Sequence, residues 1–180
     1  MSEQAGRSAQ AGDTSHLGDV LVKQPGEEVS YWQPVPANGH IDVIFAPHLV
    51  PMEFPIGFGT QTVPPGGYVR EHAHDRNEEV IFVIRGKGRA VVEGVSHEMQ
   101  SGSAFFIGRN RRHMFINEGT EDILWTWLIV PNGLEDFFRL IGRPRQPDEP
   151  TPEPFPRPEN VLQIERDTVF AAQPDDQRQP

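Results

Sequence analysis

GGYVREHAHDRNEEVIFVIRG, residues 66 to 86, is the stretch on which the reading of the fold turns. It opens on paired glycines and closes on Gly86, and His72, His74, Glu78 and Glu79 lie between two β-favouring runs. On a strand, side chains two apart share a face, so His72 and His74 turn their imidazoles the same way. A carboxylate from the neighbouring strand of the same hairpin then completes one side of a metal shell. Side chains alternate along a strand, so only one of Glu78 and Glu79 points inward with the histidines. Six residues separate Glu79 from the turn glycine Gly86, and that spacing selects Glu79.

A second stretch, GSAFFIGRNRRHMFIN at residues 102 to 117, delivers one more histidine from a turn-rich loop to the start of a strand. His113 is the fourth candidate ligand, and alternation turns Phe115 toward the same interior. Outward from these stretches the chain keeps one character. The runs IDVIFA (41–46), FGTQTV (58–63), EVIFVIR (79–85), GRAVVEG (88–94), SAFFIG (103–108), HMFIN (113–117) and ILWTWLIV (123–130) are cut by Gly, Pro and Asn. Strands this short at this spacing predict a β-sandwich or barrel.

The character changes at Pro131. Asn132 and Glu135 stand in the relation of a capping box, and Leu134, Phe137, Phe138 and Ile141 follow at helical spacing until Gly142 and Pro144 stop the helix. The reading is therefore a flexible arm over 1–19, a barrel over 20–130, an amphipathic helix over 131–143, and a proline-rich connector and tail over 144–180. Residues 160–170 are apolar enough to dock again, and no internal repeat is present.

Composition narrows the chemistry. The 180 residues include no cysteine, which removes disulfides, thiolate metal sites and cysteine nucleophiles together, and leaves His and carboxylate to hold any metal. With 16 Lys and Arg against 26 Asp and Glu, a net charge of −10, the chain lacks the basic surface that a nucleic acid requires. The N-terminus shows no leader pattern and no window is apolar over a bilayer's length, so the expected location is cytoplasmic. Among the remaining histidines, His16, His40, His48 and His97 read as surface or loop residues. Of the aromatics at Phe54, Phe58, Phe82, Phe105, Phe106, Phe115, Trp125 and Trp127, most read as packing and Phe115 as the pocket residue. Arg109, in a cluster with Arg111 and Arg112, is the candidate for fixing an anionic substrate.

These two stretches resemble the signature motifs of the cupin superfamily. The first, G-x5-H-x-H-x3,4-E-x6-G, is met by Gly66, His72, His74, Glu79 and Gly86. The second, G-x5-P-x-G-x2-H-x3-N, is met at Gly102, His113 and Asn117, with Gly108 in place of the family's proline and Asn110 in place of its glycine. Asn tolerates the left-handed backbone that glycine would supply there. The resemblance implies an all-β fold, a small antiparallel jelly-roll barrel that usually pairs as a dimer. It also implies one divalent metal per chain, Fe(II), Mn(II), Ni(II), Co(II) or Zn(II), held by three His and one Glu. The segment from Gly133 to Gly142 resembles the post-barrel helix of quercetin-dioxygenase-like cupins. The expected activity is that of a dioxygenase on a small enolic, phenolic or ketone substrate, with Glu79 either completing the shell or accepting the substrate proton. The alternatives are a redox-neutral isomerase, lyase, decarboxylase or cyclase, and a noncatalytic small-molecule binder.

Overall fold

Strand alternation accounts for most of what the computed structural model shows over residues 18–172, the residues it describes. The elements run β1 (Val29–Trp32), β2 (His40–Phe45), β3 (Gly57–Val63), β4 (Tyr68–His72), β5 (Glu78–Arg85), β6 (Lys87–Val92), β7 (Val95–Gln100), β8 (Ala104–Ile107), β9 (His113–Ile116) and β10 (Ile123–Val130), then α1 (Leu134–Ile141), β11 (Arg143–Pro144) and α2 (Val161–Asp167). One sheet has the order β11-β1-β2-β3-β10-β5-β8 and the other β4-β9-β6-β7. Every pairing between named strands is antiparallel. This is the all-β jelly roll expected from the run of short strands.

The inner faces of both sheets contribute to a single hydrophobic cluster. β10 shows why: Ile123, Trp125, Trp127 and Ile129 are buried, while Leu124, Thr126, Leu128 and Val130 look outward. On β5 the same pleat buries Glu79, Ile81 and Val83 and leaves Glu78, Phe82 and Ile84 exposed. The inward position of Glu79 thus follows from the two aliphatic residues that share its face. Gly86 turns the chain from β5 to β6 with φ at 84°, and a Cβ there would stand 2.5 Å from the Asp122 carbonyl oxygen. Both the sign of φ and the close approach require glycine.

Three strands were not legible from apolar runs. β7, VSHEMQ, buries only Met99. β4, YVREH, has two charged residues among its five, and β1, VSYW, is a four-residue strand following two glutamates. The strand structure also continues past residue 130, because the start of the proline-rich connector pairs with β1 as β11 (Tyr31 with Pro144, Trp32 with Arg143).

The helix is present, but its N-terminus is built differently from the expected capping box. Gly133, not Asn132, is the N-cap, and it makes no side-chain cap. Glu135 turns back instead. Its carboxylate accepts the Gly133 N–H at 2.8 Å and the Asn132 side-chain amide at 2.7 Å, so a buried acid, and not the Asn side chain, is the acceptor at this terminus. Leu134, Phe137, Phe138 and Ile141 are buried as the helical spacing predicts, with Phe138 edge-on to Trp127 at 5.4 Å. Apart from Gly18 and Asp19, the expected N-terminal arm lies outside the described residues, as does the tail from 173 onward. No helix among the described residues is long and apolar enough to cross a membrane.

Candidate metal centre

His72 closes β4, His113 opens β9 directly opposite it, and Glu79 reaches in from β5. His74 lies two residues beyond the end of β4, held in an isolated antiparallel bridge with Phe170. It is therefore not on the same regular strand as His72, as the two-residue spacing predicted, yet both imidazoles reach the same point. One ligand atom from each of His72, His74, Glu79 and His113 lies within 4.8 Å of all the others. Ligands about 2.1 Å from one ion stand about 3 to 4.2 Å apart, so a small contraction completes a shell.

The hydrogen bonds behind the imidazoles decide what the ring nitrogens can do. Nδ1 of His72 faces the Arg70 carbonyl oxygen at 2.7 Å, Nδ1 of His113 that of Arg111 at 2.8 Å, and Nδ1 of His74 that of Val169 at 3.1 Å. A carbonyl oxygen only accepts, so each Nδ1 carries a proton, and a ring with that single proton presents a bare Nε2. Nε2 of His113 stands 3.1 Å and Nε2 of His74 3.5 Å from the same Glu79 oxygen, Oε2. His74 Nε2 is buried with no hydrogen-bond partner. Two bare nitrogens crowded onto a carboxylate oxygen are acceptors facing acceptors, and a divalent cation between them resolves that conflict. The donor set fits a metal.

The electrostatics agree with ligation. Burial holds the pKa of His72 well below the ordinary imidazole value of 6.5, helped by His113 and His74 and opposed by Glu79 and the Arg70 carbonyl. Burial alone would raise the pKa of Glu79. In the metal-free chain, contact with His113 and His74 when their Nε2 atoms carry protons outweighs it and holds the carboxyl far below the carboxylate range, and a cation between the same atoms acts in the same direction. Glu79, 4% exposed, is thus the ionised inward acid, while Glu78 faces solvent.

A cavity of about 840 Å³ opens beside this cluster, and His72 and Glu79 form part of its wall. Phe115, behind His113 at 5.5 Å between ring centroids, lines it as alternation predicted. Helix α1 adds Leu134, Phe137, Phe138 and Ile141, and the chain after the proline connector adds Phe170. Arg109 does not take part. It is exposed in the turn before β9 and is not among the residues lining the cavity, because the left-handed Asn110 (φ 62°) ties that turn's backbone to the His74 carbonyl at 2.7 Å while the arginine points to solvent. Of the eight aromatics considered from the sequence, Phe115 alone lines the cavity. His40 is half-buried near Asp42 at 3.8 Å, and His48 and His97 are exposed. His16 lies outside the described residues.

The segment after the connector was not foreseen as part of the site. Besides the Val169 carbonyl on His74, the Ala171 N–H bonds the Ala73 carbonyl oxygen at 2.8 Å and Arg76 bonds the Thr168 carbonyl oxygen at 2.7 Å. Phe170 sets its ring 5.3 Å from His72 and 5.2 Å from His74. The signal available in the sequence was only the apolar spacing of residues 160–170.

Residues 59–129 match the family model of the cupin domain, a span that holds all four clustered residues but not the strap that follows α2, residues 168–171, which contacts His72, His74 and Arg76. Over 61 residues the chain is 33% identical to Protein SchB of Streptomyces halstedii, covering 34% of this chain and 44% of that protein, so it spans less than half the length of this curated relative. Among solved structures it is similar to a predicted oxalate decarboxylase of Thermotoga maritima, with a TM-score of 0.54 and 18% identity over 62% of this chain and 99% of that one. It is also similar to a Cupin 2 conserved barrel domain protein of Salinispora arenicola, with a TM-score of 0.50 and 16% identity over 62% of this chain and 90% of that one. At these identities the structural likeness is one of fold.

Proposed function

The chain has a cupin domain over residues 59–129 and belongs to the cupin superfamily, and from that premise we propose that it is a metal-dependent oxygenase acting on a small, flat enolic, phenolic or ketone substrate. The observation that supports this most is the convergence of three Nδ1-protonated imidazoles and Glu79 at the wall of an aromatic cavity. His72, His74, His113 and Glu79 would hold one divalent ion. Bound there, the ion supplies Lewis acidity, lowering the pKa of an enolic or phenolic hydroxyl so that it binds as the oxyanion.

The residues of the chain supply the rest. Phe115, Phe137, Phe138 and Phe170 offer ring faces to a planar substrate, and they exclude water from its reactive face. Walls of this kind suit an aromatic or diketone frame better than a polyhydroxylated sugar, whose hydroxyls would be left unpaired there. Glu79 acts first as the charge-compensating ligand. Its contacts with His113 and His74 hold its proton affinity down, so it accepts the substrate proton only after swinging clear of them.

We also propose that the chain works as a homodimer. The outward face of the larger sheet sets Val80 beside Leu128 and Phe106, with Phe82 and Phe106 46% and 69% exposed. Burying such a face against a second copy would remove it from water.

The test is oxygen uptake by metal-reconstituted protein on panels of phenols and diketones. Substrate-dependent oxygen consumption matching substrate loss supports the oxygenase. Product formation with no oxygen uptake would replace it with a redox-neutral isomerase, lyase, decarboxylase or cyclase.

A further inference from the structure

A charged cluster lines the same cavity and is not used by the oxygenase reading. Glu165 on α2 places one oxygen, Oε1, between two guanidinium groups, 2.9 Å from Arg70 Nη2 and 2.5 Å from Arg157 Nη2. Two positive charges therefore share one negative charge. Arg157 Nη1 is buried and has no hydrogen-bond partner, and the Arg157 side chain is only 16% exposed. The other acids at the cavity wall do not complete the balance. Glu71 pairs with Arg112 at 3.0 Å, Glu159 is exposed, and Glu79 belongs to the histidine cluster. An unpaired donor on a charged group buried in apolar surroundings is costly unless a ligand completes it.

Arg70 also lies close to the candidate metal centre. It precedes His72 by two residues on β4, within the irregular pairing between Val69 and His72; its carbonyl oxygen faces His72 Nδ1 at 2.7 Å, and both residues line the one cavity. We propose that this cluster is a carboxylate-binding subsite, in which Arg157 and Arg70 hold the acid group of the substrate and Glu165 serves as their internal counter-ion when no substrate is bound. The proposal rests on the reading of the cavity as the substrate site. It narrows the substrate to a flat acid, one whose carboxylate and whose oxygen directed at the histidine cluster fit within the one cavity. Arginine suits this role because its planar fork meets a carboxylate through two parallel hydrogen bonds, which an amide or alcohol does not match in charge.

The experiment is calorimetric titration of the full chain, both chelator-treated and Zn(II)-loaded, with 2-naphthoate and with its neutral isostere 2-naphthamide. Hydrogen bonds to charged groups correspond to about tenfold or more in affinity, so 2-naphthoate should bind at least about tenfold more tightly than the amide in either metal state. Arg157→Gln should remove that preference. Glu165→Gln, which withdraws the internal competitor, should tighten 2-naphthoate and leave 2-naphthamide unchanged. A purely structural latch predicts otherwise, since both variants would then loosen α2 and weaken both probes alike. Equal affinity of the wild-type chain for the two probes would overturn the proposal without any variant, and so would weaker 2-naphthoate binding by Glu165→Gln. Charge-blind binding in a protein that still takes up metal and oxygen would sink this subsite alone. Absence of oxygen uptake with the carboxylate preference intact would sink the oxygenase reading alone.

Discussion

Cutting the chain after Pro158 removes α2 and the strap that follows, and the structure separates two consequences. The first is loss of packing. Ile164 and Val169 are buried, and withdrawing each from its neighbours costs about 1.5 to 3 kcal/mol, so stability should fall by about 3 to 6 kcal/mol. The second is specific to the metal. The Val169 carbonyl is the partner of His74 Nδ1, and without it the ring is free to rotate or to change tautomer. Loss of such an outer partner typically lowers metal affinity by about 10- to 100-fold. Phe170→Ala is the matched control. It trims a half-buried ring packed 4.5 Å from Phe137 but leaves the Val169 carbonyl in place, so it should lower the melting temperature with a much smaller effect on metal affinity. The assay pairs thermal melts with Zn(II) titration against a competing chelator. Truncated protein that still melts cooperatively and binds Zn(II) as tightly as the full chain would refute the positional role and leave the strap as cladding.

Three further outcomes are expected. Glu79→Gln should lose most of its metal while Glu78→Gln keeps it, as read by elemental analysis. In metal-free protein the folded-state pKa of His72 is lowered from 6.5 and that of Glu79 from 4.5. The unfolded chain therefore binds the extra protons first, and stability should be full above about pH 6.5 and fall as the pH is lowered through that range; a melting temperature that rises on acidification would contradict this. Phe106→Asp, which places a charge on the exposed apolar sheet face, should convert a dimer into a monomer in sedimentation experiments, and a wild-type chain that sediments as a monomer at micromolar concentration would remove the dimer proposal.

The parts of the fold legible in the sequence are those where one physical signal dominates. ILWTWLIV shows its alternation openly, and the four apolar residues of α1 repeat at the helical interval. The placement of Glu79 was readable because a pleat leaves two adjacent acids on opposite faces. β7 was not legible, since a strand whose residues are nearly all exposed has no apolar pattern to see. Neither were the contacts of the strap. The bond from His74 to Val169 spans 95 residues and uses a backbone carbonyl, which every residue possesses and no side-chain pattern marks. Arg109 misled for the opposite reason: its residue type suited an anion, but its turn faces solvent, whereas Arg70, at an unspecified position of the first motif, and Arg157, in the proline-rich connector, line the cavity.

The central claim is that His72, His74, Glu79 and His113 form a divalent metal site, and metal stoichiometry tests it most directly. Full-length protein, stripped with chelator and titrated with Co(II) and Zn(II), should bind one ion per chain, and His113→Ala, still folded by its melting curve, should bind far less. A folded wild-type chain that takes up neither ion, or a His113→Ala chain that retains full occupancy, would contradict it.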